Sequence, residues 1–286
     1  MDTKIIKGKP VADRITENLI EETKKLKELD IVPKLAIVRI GENPDDMSYE
    51  RGAMNRCAKI GIDVQNIVLQ GDVSEGEYIE VIKNLNDDKN INGILCLRPL
   101  PKNINENKVK SIIDAKKDVD CFNPINSAKL FEGEKDGYAP CTPEAVMKIL
   151  NHYEVDLSGK KVVVLGRSLI VGKPVSIMLM GENATVTICH SKTENLAEEA
   201  KNADVLVAAI GRAKMVDKSY IKKGATVIDV GINVDESGNL CGDVDTESAI
   251  GIAKMITPVP AGVGSVTTSV LAEHVIKACK IQNNIN

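Results

Sequence analysis

The sequence predicts an α/β protein made of two α/β domains flanking a cleft, and three observations carry that prediction. Short apolar runs alternate with amphipathic or capped stretches along the chain, the pattern of strand-helix-strand units on parallel sheets. Aromatics are only 2% of residues and Trp is absent, so the cores must be built from Ile, Val, Leu, Ala and Met, residues that suit sheets covered by helices. Finally, the stretch over 160–174 joins a buried strand, Val162-Val163-Val164-Leu165, to a turn hinged on Gly166 and a helix opening near Gly172-Lys173-Pro174. That junction makes the carboxy-terminal domain Rossmann-like.

Taken in order, Pro10 followed by Val11, Ile15, Leu19 and Leu26 marks a long amphipathic helix. A strand is expected over 35–40, followed by the polar turn Gly41-Glu42-Asn43-Pro44 and a helix that Gly61 stops after Ile60. The next strand covers 64–69, and Ser74-Glu75-Gly76-Glu77 is a capping box opening a helix to about 86. A strand follows at 93–97, after which Pro99 and Pro101 force the chain out of the sheet. Thr142 caps a further helix with Pro143 at its first position. The second series has strands near 161–165, 184–189, 204–209, 225–230 and 254–256, and a last helix over about 266–280 that packs back on the first domain. The expected domains are therefore 1–139, joined by 266–286, and 140–265.

Composition narrows the function. The net charge of -4 with dispersed basic residues leaves no footprint for nucleic acid or an anionic membrane. No apolar run reaches membrane-spanning length and the amino terminus lacks a signal-peptide core. Seven scattered cysteines without a C-x-x-C pair read as free thiols in a reducing, cytoplasmic setting.

The glycine-hinged turn is the main chemical signal. Gly166 permits a tight reversal, Gly172 clears space for backbone approach, and the helix beyond points free N-H groups at phosphates. The second strand of this unit ends in His190-Ser191-Lys192-Thr193, with no carboxylate to hold a ribose 2′-OH. With Arg167 nearby, a 2′-phosphate is welcome, so NADP is expected over NAD. The other polar candidates are weaker. The three histidines form no triad and no metal-spaced cluster, and His152 and His274 read as helix-surface residues. On its own, Asp118-Val119-Asp120 reads as a solvated turn.

The ordered set Gly41-Glu42-Asn43-Pro44 with Ser48-Tyr49, Arg98-Pro99-Leu100-Pro101, Lys117-Asp118-Val119-Asp120, Pro140-Cys141-Thr142-Pro143, Gly166-Arg167-Ser168 through Pro174, Cys189-His190-Ser191-Lys192-Thr193, Asp229-Val230-Gly231-Ile232-Asn233 and Thr257-Pro258-Val259-Pro260 resembles the bifunctional methylenetetrahydrofolate dehydrogenase/methenyltetrahydrofolate cyclohydrolase family over nearly the whole chain. The resemblance implies a homodimer holding folate and NADP. It gives Tyr49 and Asp120 to catalysis, with Tyr49 against the substrate rings and Asp120 accepting from the pterin. It places Leu97, Arg98, Pro99, Gly262, Val263 and Gly264 around the substrate. Gly166, Arg167, Ser168, Gly172, Pro174, His190, Ser191 and Ile232 are the cofactor positions; no metal is implied.

The chain departs from the family where hydrolysis is concerned. Ala53 stands where the family has a catalytic Lys, one turn after Tyr49, and Leu97 and Arg98 stand where its partner Gln is expected. Cys121 and Ala261 replace glycines, and Ser265 replaces a Pro. Hydride transfer needs placement more than side-chain chemistry, whereas opening the methenyl ring needs a proton donor and acceptor that Ala53 lacks. The expectation is an NADP-dependent dehydrogenase with weak or absent cyclohydrolase activity. The alternatives are a fully bifunctional enzyme forming 10-formyltetrahydrofolate with Arg98, Arg51, Arg56 or Lys59 as substitute, and a non-catalytic folate- or NADP-binding relative.

Overall fold

The computed structural model describes residues 2–285. In chain order its elements are β1 (Lys4–Ile5), α1 (Gly8–Lys27), β2 (Lys34–Ile40), α2 (Pro44–Ile60), β3 (Asp63–Leu69), α3 (Glu75–Asp87), β4 (Gly93–Cys96), α4 (Glu106–Ile112), α5 (Pro124–Glu132), α6 (Cys141–His152) and β5 (Lys161–Leu165). There follow α7 (Gly172–Gly181), β6 (Thr185–Cys189), α8 (Leu196–Ala200), β7 (Val205–Ala208), β8 (Thr226–Asp229), β9 (Asn233–Val234), β10 (Leu240–Cys241), α9 (Thr246–Ala249), β11 (Met255–Ile256) and α10 (Gly264–Gln282). The strands expected from 35 onward are all present, and the Ser74 capping box forms with both of its hydrogen bonds. The helix expected to start on Thr142 begins at Cys141.

The chain forms two compact units, Asp13–Cys141 with Thr268–Asn286, and Met1–Ala12 with Thr142–Thr267. The first is built on a parallel three-stranded sheet of order β3-β2-β4. Its core packs Ala36, Val38, Ile94 and Cys96 of that sheet with Tyr78 and Ile82 of α3. The second holds a parallel six-stranded sheet of order β1-β11-β8-β7-β5-β6. Val163, Leu165, Leu206 and Val227 fill one face of this sheet. Their neighbours Val162, Val164, Val205, Val207 and Ile228 are buried as well. Each such side chain taken out of water contributes about 1.5–3 kcal/mol.

The first dozen residues differ from the expected domain 1–139. β1 pairs in parallel with β11, Lys4 opposite Met255, and the fully buried Ile6 donates its N-H to the Ile256 carbonyl. A two-residue strand carries no periodicity, so its partner across the whole chain left no mark in the sequence. The helices α4 and α5 were also unexpected. In α5 the signals are plain: Asn123 accepts the Ile125 N-H as cap, Pro124 opens the helix, and Gly133 closes it at φ 77°.

Candidate functional site

In the first unit the strand order reverses at β2, so the carboxyl ends of β2 and β4 border the kind of crevice where open α/β sheets take ligands. From β2 the chain turns into α2, which Asn43 caps by accepting the Asp45 and Asp46 N-H groups. A buried ion pair fixes this helix to the sheet: Arg39 Nε on β2 lies 2.7 Å from Glu50 on α2. The second oxygen of Glu50 accepts from Asn66 at 2.8 Å, and Arg39 also donates to the Gly41 carbonyl. Tyr49, the neighbour of Glu50, is half-buried. Burial first, then the nearby Cys141 thiol and Asp120 carboxylate, raise its phenol well above the ordinary value, so it stays protonated. One turn on, Ala53 is fully buried.

Past β4 the Leu97 N-H still pairs with the Val38 carbonyl, and Leu97 is buried. Pro99, reached through a cis peptide bond, is exposed. Between them the Arg98 guanidinium lies 3.2 Å from Asp120 and 4.6 Å from the centroid of the Phe122 ring. The other oxygen of Asp120 accepts the Cys141 N-H at 2.9 Å. Tyr49, Arg98 and Asp120 thus share one electrostatic neighbourhood within this unit.

The solvated-turn reading of Asp118 is overturned. Its carboxylate is buried and accepts from the N-H groups of Phe122 and Asn123 and from the Asn126 amide, each at 2.8 Å. Buried N-H groups need acceptors, and Asp118 supplies them in the turn that carries Asp120. His274 also departs from its expected place on a helix surface: it is buried, its Nδ1 2.9 Å from the Val119 carbonyl. Among the substitute cations, Arg56 donates to Thr16 Oγ1 at 2.7 Å, while Arg51 and Lys59 are exposed.

In the second unit the strand order reverses at β5, and a cavity of about 290 Å³ opens at the carboxyl ends of β5, β6 and β7. Gly166, Arg167, Ser168, His190 and Ser191 line it, together with Leu196, Ala209, Ile210, Arg212 and Met215. Gly166 has φ 116°, and a Cβ there would strike the Ala209 carbonyl. Ser168 Oγ accepts the Val171 N-H at 3.0 Å, satisfying a donor at the start of α7. His190 Nδ1 accepts the Lys192 N-H at 3.2 Å, which leaves any ring proton on Nε2.

Other expected cofactor positions do not line this cavity. Gly172 and Pro174 are buried in α7, and a Cβ on Gly172 would meet the Gly166 carbonyl, so this glycine serves the packing of helix on turn. Ile232 is 67% exposed. Of the substrate positions assigned to this unit, Gly262 sits tight against the Pro258 carbonyl, Val263 is buried, and Gly264 opens α10 near Ile232. The close approach expected of Gly262 to a ligand is thus first an approach to its own chain.

Arg212 and Asp243 were missed in the sequence. Asp243 is fully buried and accepts the N-H groups of Ile210, Gly211 and Arg212, and the Asn233 amide. Asp229 in turn accepts the N-H groups of Gly231, Asp243 and Val244, and burial raises its carboxyl to about 6. The available signal was Gly211-Arg212 directly after an apolar strand, the same pattern as Gly166-Arg167.

Residues 6–120 match the family model described as "Tetrahydrofolate dehydrogenase/cyclohydrolase, catalytic domain", and residues 140–283 match its "NAD(P)-binding domain". The chain belongs to the tetrahydrofolate dehydrogenase/cyclohydrolase family. A relative in Clostridioides difficile strain 630, named "Bifunctional protein FolD", is 65% identical over 99% of this chain and all of its own length. The crystal structure of the bifunctional FolD enzyme of Campylobacter jejuni is similar at TM-score 0.95 and 38% identity, covering 98% of this chain and 99% of that one. The Trypanosoma brucei dehydrogenase-cyclohydrolase, solved with NADP and an inhibitor, is similar at TM-score 0.94 and 35% identity over 98% of each chain. The family assignment gives the cavity at β5, β6 and β7 its place in the NAD(P)-binding domain.

Proposed function

We propose that this family member oxidises 5,10-methylenetetrahydrofolate to the 5,10-methenyl form, and that hydrolysis of that product is the weaker of the family's two reactions in this chain. The observation that carries the reading is the pairing of a cofactor cavity lined by Arg167 and Ser191 with a buried Ala53 and Leu97 where the family's catalytic Lys and its partner Gln belong. NADP, when bound, supplies the hydride acceptor. Arg167 and Ser191 hold the phosphate on its ribose, and the absence of a carboxylate from the cavity lining favours NADP over NAD. Tyr49 packs its ring against the substrate and Asp120 accepts hydrogen bonds from the pterin.

Hydride loss from the one-carbon bridge requires orientation, which a fixed α2 and a fixed 118–123 turn supply. Ring opening requires a proton to reach the departing nitrogen, and neither Ala53 nor Leu97 can deliver one. The protein is proposed to act as a homodimer, and its seven buried cysteines, none of them in a disulfide, support a reducing cytoplasmic setting.

A second reading, favoured by the names of the relatives and by the guanidinium of Arg98 against Asp120, is an enzyme that runs both steps. One assay separates the two. With methylenetetrahydrofolate and NADP, reduced nicotinamide and methenyl absorbance are followed together. The first reading expects methenyl to accumulate in step with reduced nicotinamide, with turnover for hydrolysis at least about a hundredfold lower. Methenyl removal that keeps pace with its formation establishes the second. Formation of neither ends both.

A further inference from the structure

We propose that Arg212 is a second specificity-determining arginine, one that grips the ribose 2′-phosphate of NADP together with Arg167. The inference rests on the NADP reading above and deepens it. It starts from charge. Among the cavity's lining residues Arg167 and Arg212 carry the only permanent charges, and no carboxylate lines it. Both side chains are exposed, and neither makes an ion pair among the described residues. Two like charges facing one cavity repel, and a doubly charged anion between them turns that repulsion into two attractions. A phosphomonoester matches the planar fork of each guanidinium. The free ribose diol of NAD offers neither the charge nor the acceptors.

The backbone under Arg212 is built for this placement. The loop from Ala209 to Arg212 leaves β7 with the Ala209 N-H on the Leu165 carbonyl. Asp243 then accepts the Ile210, Gly211 and Arg212 N-H groups at 2.7, 3.1 and 2.7 Å. Asp243 is itself held through its own N-H by Asp229 at 3.0 Å. The loop is therefore fixed from beneath by a buried carboxylate that takes only backbone donors from it, and the Arg212 side chain is left unengaged above it. A fixed root reduces the ordering required when the ligand arrives. The other lining polar groups are partly committed: Ser168 Oγ to the start of α7, and His190 Nδ1 to Lys192. The apolar members Leu196, Ala209, Ile210 and Met215 give the cavity the apolar wall that a nucleotide's adenine ring needs.

The same charge could serve the pyrophosphate of any dinucleotide, so the test uses fragments. Binding of 2′,5′-ADP, 5′-ADP, NADP and NAD is measured by titration calorimetry on the full-length wild type, Arg212→Gln, Arg212→Lys and Arg167→Gln. Arg212→Gln is expected to weaken 2′,5′-ADP and NADP by about ten- to a hundredfold, the range for a charged hydrogen bond. It should leave 5′-ADP and NAD within about twofold, and Arg212→Lys should fall between, keeping the charge without the fork. The affinity for 2′,5′-ADP should also lose part of its dependence on salt. Equal weakening of 5′-ADP and NAD assigns Arg212 to the pyrophosphate and overturns the proposal, as does unchanged binding of all four. A wild type that binds NADP no better than NAD overturns the NADP reading itself, independently of any variant. Because Arg212 is an exposed residue, loss of folding does not confuse the outcome.

Discussion

The two units place their arginines in opposite states. In the unit around β2, Arg98 is paired with Asp120 and laid over Phe122, and Arg39 is buried against Glu50. In the unit around β5, Arg167 and Arg212 line a cavity with no carboxylate among its walls. Both units organise a loop with a buried aspartate that accepts backbone N-H groups, Asp118 in one and Asp243 in the other. The difference lies in what the loop presents. One offers a charge pair already closed on itself, suited to a ligand bound through neutral donors and ring faces. The other offers open cations, suited to an anion. Buried aspartates thus do the holding in both, and the side chains that the loops present decide the ligand.

The largest expected effect breaks this comparison by returning a cation to the first unit. Ala53→Lys with Leu97→Gln should raise hydrolysis of methenyltetrahydrofolate by about 10²- to 10⁴-fold, read as the loss of methenyl absorbance. Ala53→Lys alone should do less and should lower stability, because Ala53 is fully buried and an unpaired ammonium there has nothing to satisfy it. A double variant that folds and still hydrolyses no faster than wild type removes Ala53 and Leu97 as the cause.

Next in size is the buried pair beneath Tyr49. Glu50→Gln leaves the Arg39 charge buried without its partner and should cost about 3–5 kcal/mol in urea unfolding. A loss below about 1 kcal/mol would mean that the pair is no better than a surface one. Asp120→Ala should weaken folate binding by roughly tenfold or more, since an unmet buried donor costs about 1–3 kcal/mol, while NADP binding stays within about twofold. Equal losses for both ligands would show that Asp120 holds structure and does not read the pterin.

The smallest effect sharpens the comparison at its edges, where glycines of the family are replaced. Cys121 has φ 56° and Ala261 φ 77°, the left-handed region that L-residues enter at a cost of about 1–2 kcal/mol. Part of that is returned by glycine's greater freedom when unfolded. Ala261→Gly should therefore stabilise by up to about 1 kcal/mol in thermal unfolding, and a clear loss would show that the turn is unstrained.

The fold was legible where burial imposes a rhythm. Val162, Val163, Val164 and Leu165 can only be a strand covered on both faces, and Ser74 with Glu77 can only open a helix. The site was legible where backbone geometry restricts residue type, as at Gly166. It was obscure where one residue's meaning depends on a distant partner. Asp243 and Asp118 look like ordinary loop acids until the N-H groups around them are counted. His274 sits in a helix whose weak amphipathic pattern gives no hint that both sides are covered. The partners of Arg98 were hidden because neither Asp120 nor Phe122 adjoins it in sequence.

The pairing of β1 with β11 has a consequence for how the chain is made. Synthesis delivers Lys4 and Ile5 about 250 residues before their partners Met255 and Ile256. β1 must therefore wait, unpaired, until β11 is made, while β5 to β8 assemble the middle of its sheet. That strand is only two residues long and largely exposed on both of them, so the wait leaves little apolar surface for a passing chain to seize. A short, weak β1 suits a strand whose partner is made so much later, and lengthening it with apolar residues would put that order at risk.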